Sequence, residues 1–323
     1  MHQATRATRG GVGTVGIALA LVAFALAAGW VAGSLYAGHA PRPCAGQCGS
    51  SAEAAPATSE VLAASATPTA VPTEPAGFPF VSARSIAVIE GACGALVYGR
   101  DEHRHLPPAS LTKLMTAAVA TDQASTDTLI TAHIDGAQLY DQTGSTIMGL
   151  KPGMQLSLLD LLYGLLLPSG NDAAITIAEG VGGTQENFVE LMNAKAQSLA
   201  LEDSHFTNPH GLYDPDLYSS AYDMAVLARY DLQNPTLRQI VATQTWQPKW
   251  DGPPVWNGNR FLGEYQGADG VKIGYTEESQ QTIVASATRG GRQIIASLMR
   301  SQDRYTDAER LLDWAFAQPS ACP

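Results

Sequence analysis

Ser110 and Lys113 stand three apart in Pro107-Pro108-Ala109-Ser110-Leu111-Thr112-Lys113-Leu114-Met115, and two further elements follow, Ser169-Gly170-Asn171 and Lys272-Ile273-Gly274. A serine hydroxyl is a weak nucleophile until a base takes its proton, and a lysine becomes that base once burial lowers its proton affinity. The two prolines end whatever precedes them, so a helix can begin at once and place Ser110 near its positive end. Residues i and i+3 share a helix face, which brings Lys113 to the hydroxyl. The chain has five lysines, and the residues three before them are Ser110, Met148, Met192, Trp246 and Asp269. One lysine therefore carries a serine at that offset, and it is the one followed by the other two elements. An isolated Ser-x-x-Lys is more often a capped helix with a solvated lysine. Here the apolar context of Leu111, Leu114 and Met115 and the two companion elements favour the chemical reading.

The companion elements have plain readings of their own. Ser169-Gly170-Asn171 follows the apolar run Leu165-Leu166-Leu167 and Pro168, and a capping turn uses the same residue types. Read for chemistry, its hydroxyl relays a proton and its carboxamide grips a substrate amide. Lys272-Ile273-Gly274-Tyr275-Thr276 reads as a strand, either an edge strand with a solubilising lysine or a cation beside a substrate carboxylate. Gly274 would let a bound peptide lie close to the strand backbone. Lys151-Pro152-Gly153 also fits Lys-x-Gly, but it precedes the Ser-Gly-Asn element, and its proline predicts a type II turn.

These elements need one sizeable domain to hold them. Residues 10–38 carry no charge and are rich in Ala, Val, Leu, Ile and Phe, longer than the roughly 18 apolar residues that suggest a membrane span. Arg6 and Arg9 precede the run, so residues 1–9 are expected in the cytoplasm and the remainder outside. The alternative is a cleaved signal, with secretion. Residues 39–79, rich in Ala, Pro, Ser and Thr, bury too little to order themselves and are expected to form a flexible tether. Residues 80–323 are expected to form the folded, catalytic domain. Arg6, Arg9 and Arg42 cancel Glu53, Glu60 and Glu74, so the net charge of −11 falls on that domain and argues against nucleic acid as a partner. Cys44, Cys48, Cys93 and Cys322 lack zinc-site spacing. In an exported domain Cys93 and Cys322 are expected to join the chain end to the first hairpin, two free thiols being the alternative.

Hairpins are predicted at residues 85–98, around Gly91-Ala92-Cys93-Gly94, and at 283–299, around Arg289-Gly290-Gly291-Arg292. Helices are predicted at 111–120, 157–167, 173–179, 186–199 and 307–317. Strands at both ends around a helical middle define an α+β domain whose sheet joins chain-distant strands.

With Gly149-Leu150-Lys151-Pro152-Gly153, residues 160–174, Phe206-Thr207-Asn208-Pro209-His210-Gly211-Leu212 and Asp269-Gly270-Val271-Lys272 added, residues 82–316 resemble the low-molecular-weight penicillin-binding proteins. These are the D-alanyl-D-alanine carboxypeptidase family of serine peptidases. The resemblance implies the β-lactamase-like fold, an antiparallel sheet flanked by helices plus a helical subdomain, with the site between them. It implies Ser110 as nucleophile, Lys113 as its base and Ser169 as the group returning a proton to the leaving D-alanine. It further implies Asn171 on the peptide amide, Lys272 on the terminal charge, and the N–H groups of Ser110 and Tyr275 as an oxyanion hole, with Gly274 between. Arg300 or Arg304 would meet the substrate carboxylate, and His210 would be structural. Peptidoglycan stem peptides are the implied substrate, β-lactams the implied inhibitors, and no metal or other cofactor is expected. The family usually has threonine where this chain has Ile273, a loss of about 1 kcal/mol or more of hydrogen bonding. Endopeptidase action on cross-links, a β-lactamase and a non-catalytic penicillin-sensing module are the alternatives. Glu190 falls in a helix rather than a β-lactamase loop, and five intact site residues argue against a dead module.

Overall fold

The computed structural model describes residues 74–323. The apolar run at 10–38 and the tether up to residue 73 lie outside the described residues, among which no helix is long and apolar enough to cross a membrane. Ser85–Glu90 (β1) and Leu96–Arg100 (β2) form the expected first hairpin. A 3₁₀ turn at Ala109–Leu111 runs into Thr112–Gln123 (α1). Leu129–Thr131 (β3) then leads to Gly136–Thr143 (α2) and to Gln155–Ser157 (β4), which pairs back with β3. Leu158–Leu166 (α3), Asn171–Gly182 (α4), Gln185–Ser198 (α5), Ala221–Gln233 (α6) and Pro235–Val241 (α7) complete the helical part. A ribbon of Thr245–Trp246 (β5) and Val255–Trp256 (β6) and the one-turn Phe261–Glu264 (α8) precede three long strands. These are Ala268–Thr276 (β7), Gln280–Arg289 (β8) and Arg292–Ser301 (β9), and Arg304–Ala317 (α9) follows them.

The main sheet is antiparallel with order β2-β1-β9-β8-β7, so strands from the two chain ends meet, Val88 opposite Ala296. Strand alternation divides the apolar side chains between two layers. Ile86, Val88, Ala296 and Leu298 pack with Leu311, Leu312 and Ala315 of α9 on one face. Ala87, Ile89, Ile295 and Met299 join the helical core on the other. Helix α1 is buried from Thr112 through Ala120 although Lys113 and two threonines lie among those residues. Its central position is what carries Lys113 into the interior.

Several boundaries differ from the sequence reading. Ser110 sits in the 3₁₀ turn, not in the first turn of α1. Helix α4 begins at Asn171 rather than 173, because Gly170 caps it in extended conformation. Helix α9 begins at Arg304 rather than 307, with the Asp303 carboxylate accepting from Thr306 N. Helices α2, α6 and α7 had no predicted counterpart. Contacts also begin before residue 80. Glu74 accepts from Tyr98 Oη and from Arg100 Nη1, and the Phe78 ring lies 4.2 Å from that of Tyr98.

Cys93 and Cys322 are disulfide-bonded across 229 residues of sequence, as anticipated. Arg292 reinforces the same corner. Its Nη2 meets the buried Glu90 carboxylate at 2.6 Å and its Nη1 donates to Gln318 O, while Ala321 N donates to Glu90. Replacing both cysteines by serine is therefore expected to cost about 2–5 kcal/mol of stability, read by denaturant unfolding, through restored freedom of the unfolded chain. An unchanged midpoint would mean that the Glu90–Arg292 cluster alone holds the tail.

Candidate active site

Ala109 holds φ +51°, a left-handed conformation uncommon for alanine, and the turn it makes presents Ser110 at the mouth of α1. Lys113 Nζ lies 3.1 Å from Ser110 Oγ, 2.6 Å from Asn171 Oδ1 and 2.6 Å from His210 O. Lys113 is fully buried, and desolvation, with repulsion from Lys272 second, holds its pKa well below the usual lysine value. A neutral amine has two N–H donors and one lone pair. Asn171 Oδ1 and His210 O can only accept, so they take both donors and leave the lone pair directed at Ser110 Oγ. That is the arrangement a base for this hydroxyl requires.

The two acceptors are themselves held in place. Asp172, fully buried, accepts from the backbone N–H groups of Met148, Gly149, Leu150 and Ala173 at 2.8–2.9 Å, which ties the 146–150 segment to the start of α4. On the other side Thr116 Oγ1 donates to Pro209 O at 2.6 Å, and Asn208 Oδ1 accepts from Gly211 N at 2.7 Å. A Cβ at Gly211 would come within 2.0 Å of Ala109 O, so the loop bearing His210 can close on the nucleophile turn only with glycine there. His210 is half-buried, its ring pushed down to about 3 by desolvation, then by Lys113, so the ring is neutral, with Nδ1 accepting from Leu212 N. Its contribution is the backbone carbonyl, which no residue-type argument could identify. Asp172 at least lay beside a named residue.

Ser169 also has positive φ (+66°), and its buried Oγ has no hydrogen-bond partner among the described residues. Its carbonyl accepts from Thr146 Oγ1 at 2.7 Å. An unspent hydroxyl on a strained turn at the cleft marks a group kept for something other than stability.

Strand β7 forms the opposite wall and is the edge of the sheet. Lys272 is 2% exposed, which rules out the solubilising role. Its Nζ donates to Ile273 O at 3.0 Å, and burial followed by repulsion from Arg304 brings it down to about 7. Arg304 Nη1 donates to Gly274 O at 2.7 Å and to Thr282 O at 3.2 Å, clamping β7 to β8 at the cleft wall. Arg304, not Arg300, lines the cleft. Ile273 lines it too and brings no hydroxyl. Thr276 cannot supply one, since its Oγ1 is engaged with Ser279 N and Oγ at 3.0 and 3.1 Å. Gly274 answers to a tighter constraint than a bound peptide: a Cβ there would lie 2.6 Å from Thr282 Oγ1 and 2.9 Å from Ser110 N. Together with Ser110, Ser169, Asn171 and Tyr275 these residues line one cleft of about 690 Å³.

A fully buried lysine lies 3.1 Å from a half-buried cleft serine, between an antiparallel sheet and the helical part. Residues 71–303 match the D-alanyl-D-alanine carboxypeptidase family model, and the chain belongs to that family. The D-alanyl-D-alanine carboxypeptidase DacF of Bacillus subtilis is 32% identical over 248 residues, 75% of this chain and 64% of that protein, so the chain spans less than two thirds of it. DacB2 of Mycobacterium tuberculosis is 36% identical over 257 residues, 76% and 87% of the respective chains. Among solved structures, the Streptomyces K15 DD-transpeptidase aligns with a TM-score of 0.70 at 28% identity, over 74% of this chain and 99% of that one. A D-alanyl-D-alanine carboxypeptidase from Mycobacterium tuberculosis aligns with a TM-score of 0.71 at 34% identity, over 77% and 97%.

The packing at Gly274 is testable apart from activity. Gly274→Ala is expected to lose about 1–3 kcal/mol by overpacking against a fully buried neighbour. Gly258→Ala, whose Cβ would find its nearest atoms at 3.8 Å, should stay within about 0.5 kcal/mol of wild type in the same thermal unfolding experiment. Equal effects would mean that β7 moves freely relative to the nucleophile turn.

Proposed function

We propose that this chain is a serine-type D-alanyl-D-alanine carboxypeptidase that removes the terminal D-alanine from peptidoglycan stem peptides. The observation that carries the reading is Lys113 Nζ, buried 3.1 Å from Ser110 Oγ with both its neutral-state donors spent elsewhere. On this reading Ser110 Oγ attacks the carbonyl of the penultimate D-alanine as its proton passes to Lys113 Nζ. The oxyanion is held by the N–H groups of Ser110 and Tyr275. The C–N bond then breaks, and Ser169 passes a proton from Lys113 to the leaving amine. Water, deprotonated by the restored Lys113, attacks the acyl carbon and releases Ser110. Asn171 has its Oδ1 on Lys113, so its Nδ2–H groups are what it offers a substrate carbonyl. The charged form of Lys272 and the Arg304 guanidinium supply a positive end for the terminal carboxylate. A β-lactam would acylate the same hydroxyl. The substrate lies in the wall, so the domain acts outside the membrane, with residues 10–38 as its anchor.

Purified protein incubated with a peptide ending in D-Ala-D-Ala is expected to release free D-alanine, and Ser110→Ala to release none. Release persisting in Ser110→Ala would remove the serine from the mechanism, and no release from folded wild type would overturn the carboxypeptidase reading. The two lysines also set a pH profile. Lys113 must be neutral and Lys272 charged, so kcat/KM should fall at alkaline pH as Lys272, near 7 in the free cleft, loses its proton. Lys272→Arg should carry that descending limb to higher pH. A limb that does not move would assign it to another group.

A further inference from the structure

A serine hydroxyl relays a proton only when it is aimed, and at Ser169 the aim depends on a backbone that serine seldom adopts. Ser169 holds φ +66°, and the orientation of the peptide plane that follows it fixes the other backbone dihedral. That plane is pinned at both poles. Its N–H, on Gly170, donates to Gly164 O in α3 at 2.9 Å, and its carbonyl, on Ser169, accepts from Thr146 Oγ1 at 2.7 Å. The second pole comes from a side chain 23 residues earlier that lines the cleft.

Thr146 also holds the far flank of the same element, since its carbonyl accepts from Asn171 N at 2.9 Å. Neighbouring hydroxyls are spent locally. Thr143 Oγ1 donates to Leu139 O at 2.7 Å, and Ser145 Oγ bonds Thr143 Oγ1 at 2.6 Å. Just beyond Thr146, the Asp172 carboxylate accepts from Met148 N, Gly149 N and Leu150 N, which keeps the segment against the start of α4. Thr146 is exposed, so water could satisfy its hydroxyl, and burial does not require the bond to Ser169 O. The buried Ser169 Oγ, by contrast, has no partner among the described residues. We infer that Thr146 is a positioning residue for the proton relay: its hydroxyl holds the Ser169 carbonyl and so keeps Ser169 Oγ directed at the leaving nitrogen. Without that bond the peptide is held at one pole, and rotating it lets Ser169 relax toward negative φ with its hydroxyl off line. The inference rests on the carboxypeptidase reading and on the relay role given there to Ser169.

The test uses two substrates with one acyl half, diacetyl-L-Lys-D-Ala-D-Ala and the thioglycolate thioester of diacetyl-L-Lys-D-Ala. Both end in a carboxylate. An amine must gain a proton as its C–N bond breaks, whereas a thiolate departs without one and leaves the Ser110 proton on Lys113. Because kcat/KM spans the steps up to departure of the leaving group, deacylation does not enter the comparison. Thr146→Val removes the hydroxyl and keeps both the branched shape and the carbonyl that meets Asn171. It is expected to lower kcat/KM for D-alanine release about ten- to hundredfold, the range of a displaced general acid. Thiol release should stay within about twofold of wild type, because no proton is delivered. Thr146→Ser should return D-alanine release to within about threefold, since it restores the donor. In a Ser169→Ala background Thr146→Val should cost less than about twofold more, as two residues acting through one group require. An equal loss on both substrates, no loss in a Thr146→Val protein whose circular dichroism matches wild type, or full additivity with Ser169→Ala would each overturn the inference and leave the carboxypeptidase reading standing. Wild-type protein that releases no D-alanine would overturn both.

Discussion

The burial of Lys113 is the constraint around which the rest of the domain is arranged. A lysine in water near neutral pH is an ammonium and cannot take a proton from serine. Placed on a covered helix, with Ser110 Oγ, an amide oxygen and a backbone carbonyl as its hydrogen-bond partners and Lys272 repelling its charge, it is held toward the neutral state. Those acceptors come from chain segments 58 and 97 residues away. Each is locked by a separate device: the Asp172 carboxylate collecting four backbone N–H groups on one side, and the Asn208–Thr116–Gly211 loop on the other. Loosening either would let water or a second acceptor reach the amine, and its lone pair would no longer be aimed.

Two of the six described non-glycine residues with positive φ lie at the site. Ala109 and Ser169, the residues that set the direction of the nucleophile turn and of the cleft's second serine, both hold positive φ without being glycine. Such conformations persist only where surrounding contacts over-determine them. Here those contacts are Gly211 pressed against Ala109 O, Gly274 passing within contact distance of Ser110 N, and Thr282 Oγ1 reaching Pro108 O. The disulfide and the Glu90–Arg292 cluster lie at the far end of β1, where they hold the hairpin and the chain end.

Electrostatics separate two lysines of identical chemistry into two roles. Lys113 and Lys272 are both buried and both held below the ordinary lysine range, Lys113 partly by Lys272 and Lys272 partly by Arg304, yet their surroundings differ. Lys113 has both neutral-state donors claimed. Lys272 has one bond, to Ile273 O, and keeps the rest of its donors for a ligand. On the proposed reading one group accepts a proton and the other holds an anion, a division of labour that opposed environments impose on like groups. The net charge of −11 would argue against an anionic ligand; the local field of the cleft argues for one.

Much of this was legible in residue types and spacing. The Ser-x-x-Lys offset identified Ser110 and Lys113, chain order added Ser169, Asn171 and Lys272, and period-two and helical patterns gave the two hairpins, the α+β class and helices α3 and α5 nearly to the residue. Those features are local, because hydroxyl, amine and periodicity are written in neighbouring positions. What the tertiary structure alone decided was non-local: that α1 is buried all round, that the His210 carbonyl reaches Lys113, that Arg304 rather than Arg300 faces the cleft, and that Gly274 is dictated by the Ser110 turn. A side chain's protonation and reach depend on what the fold packs around it, and segments more than fifty residues apart carry no mark of meeting until the sheet and helices bring them together.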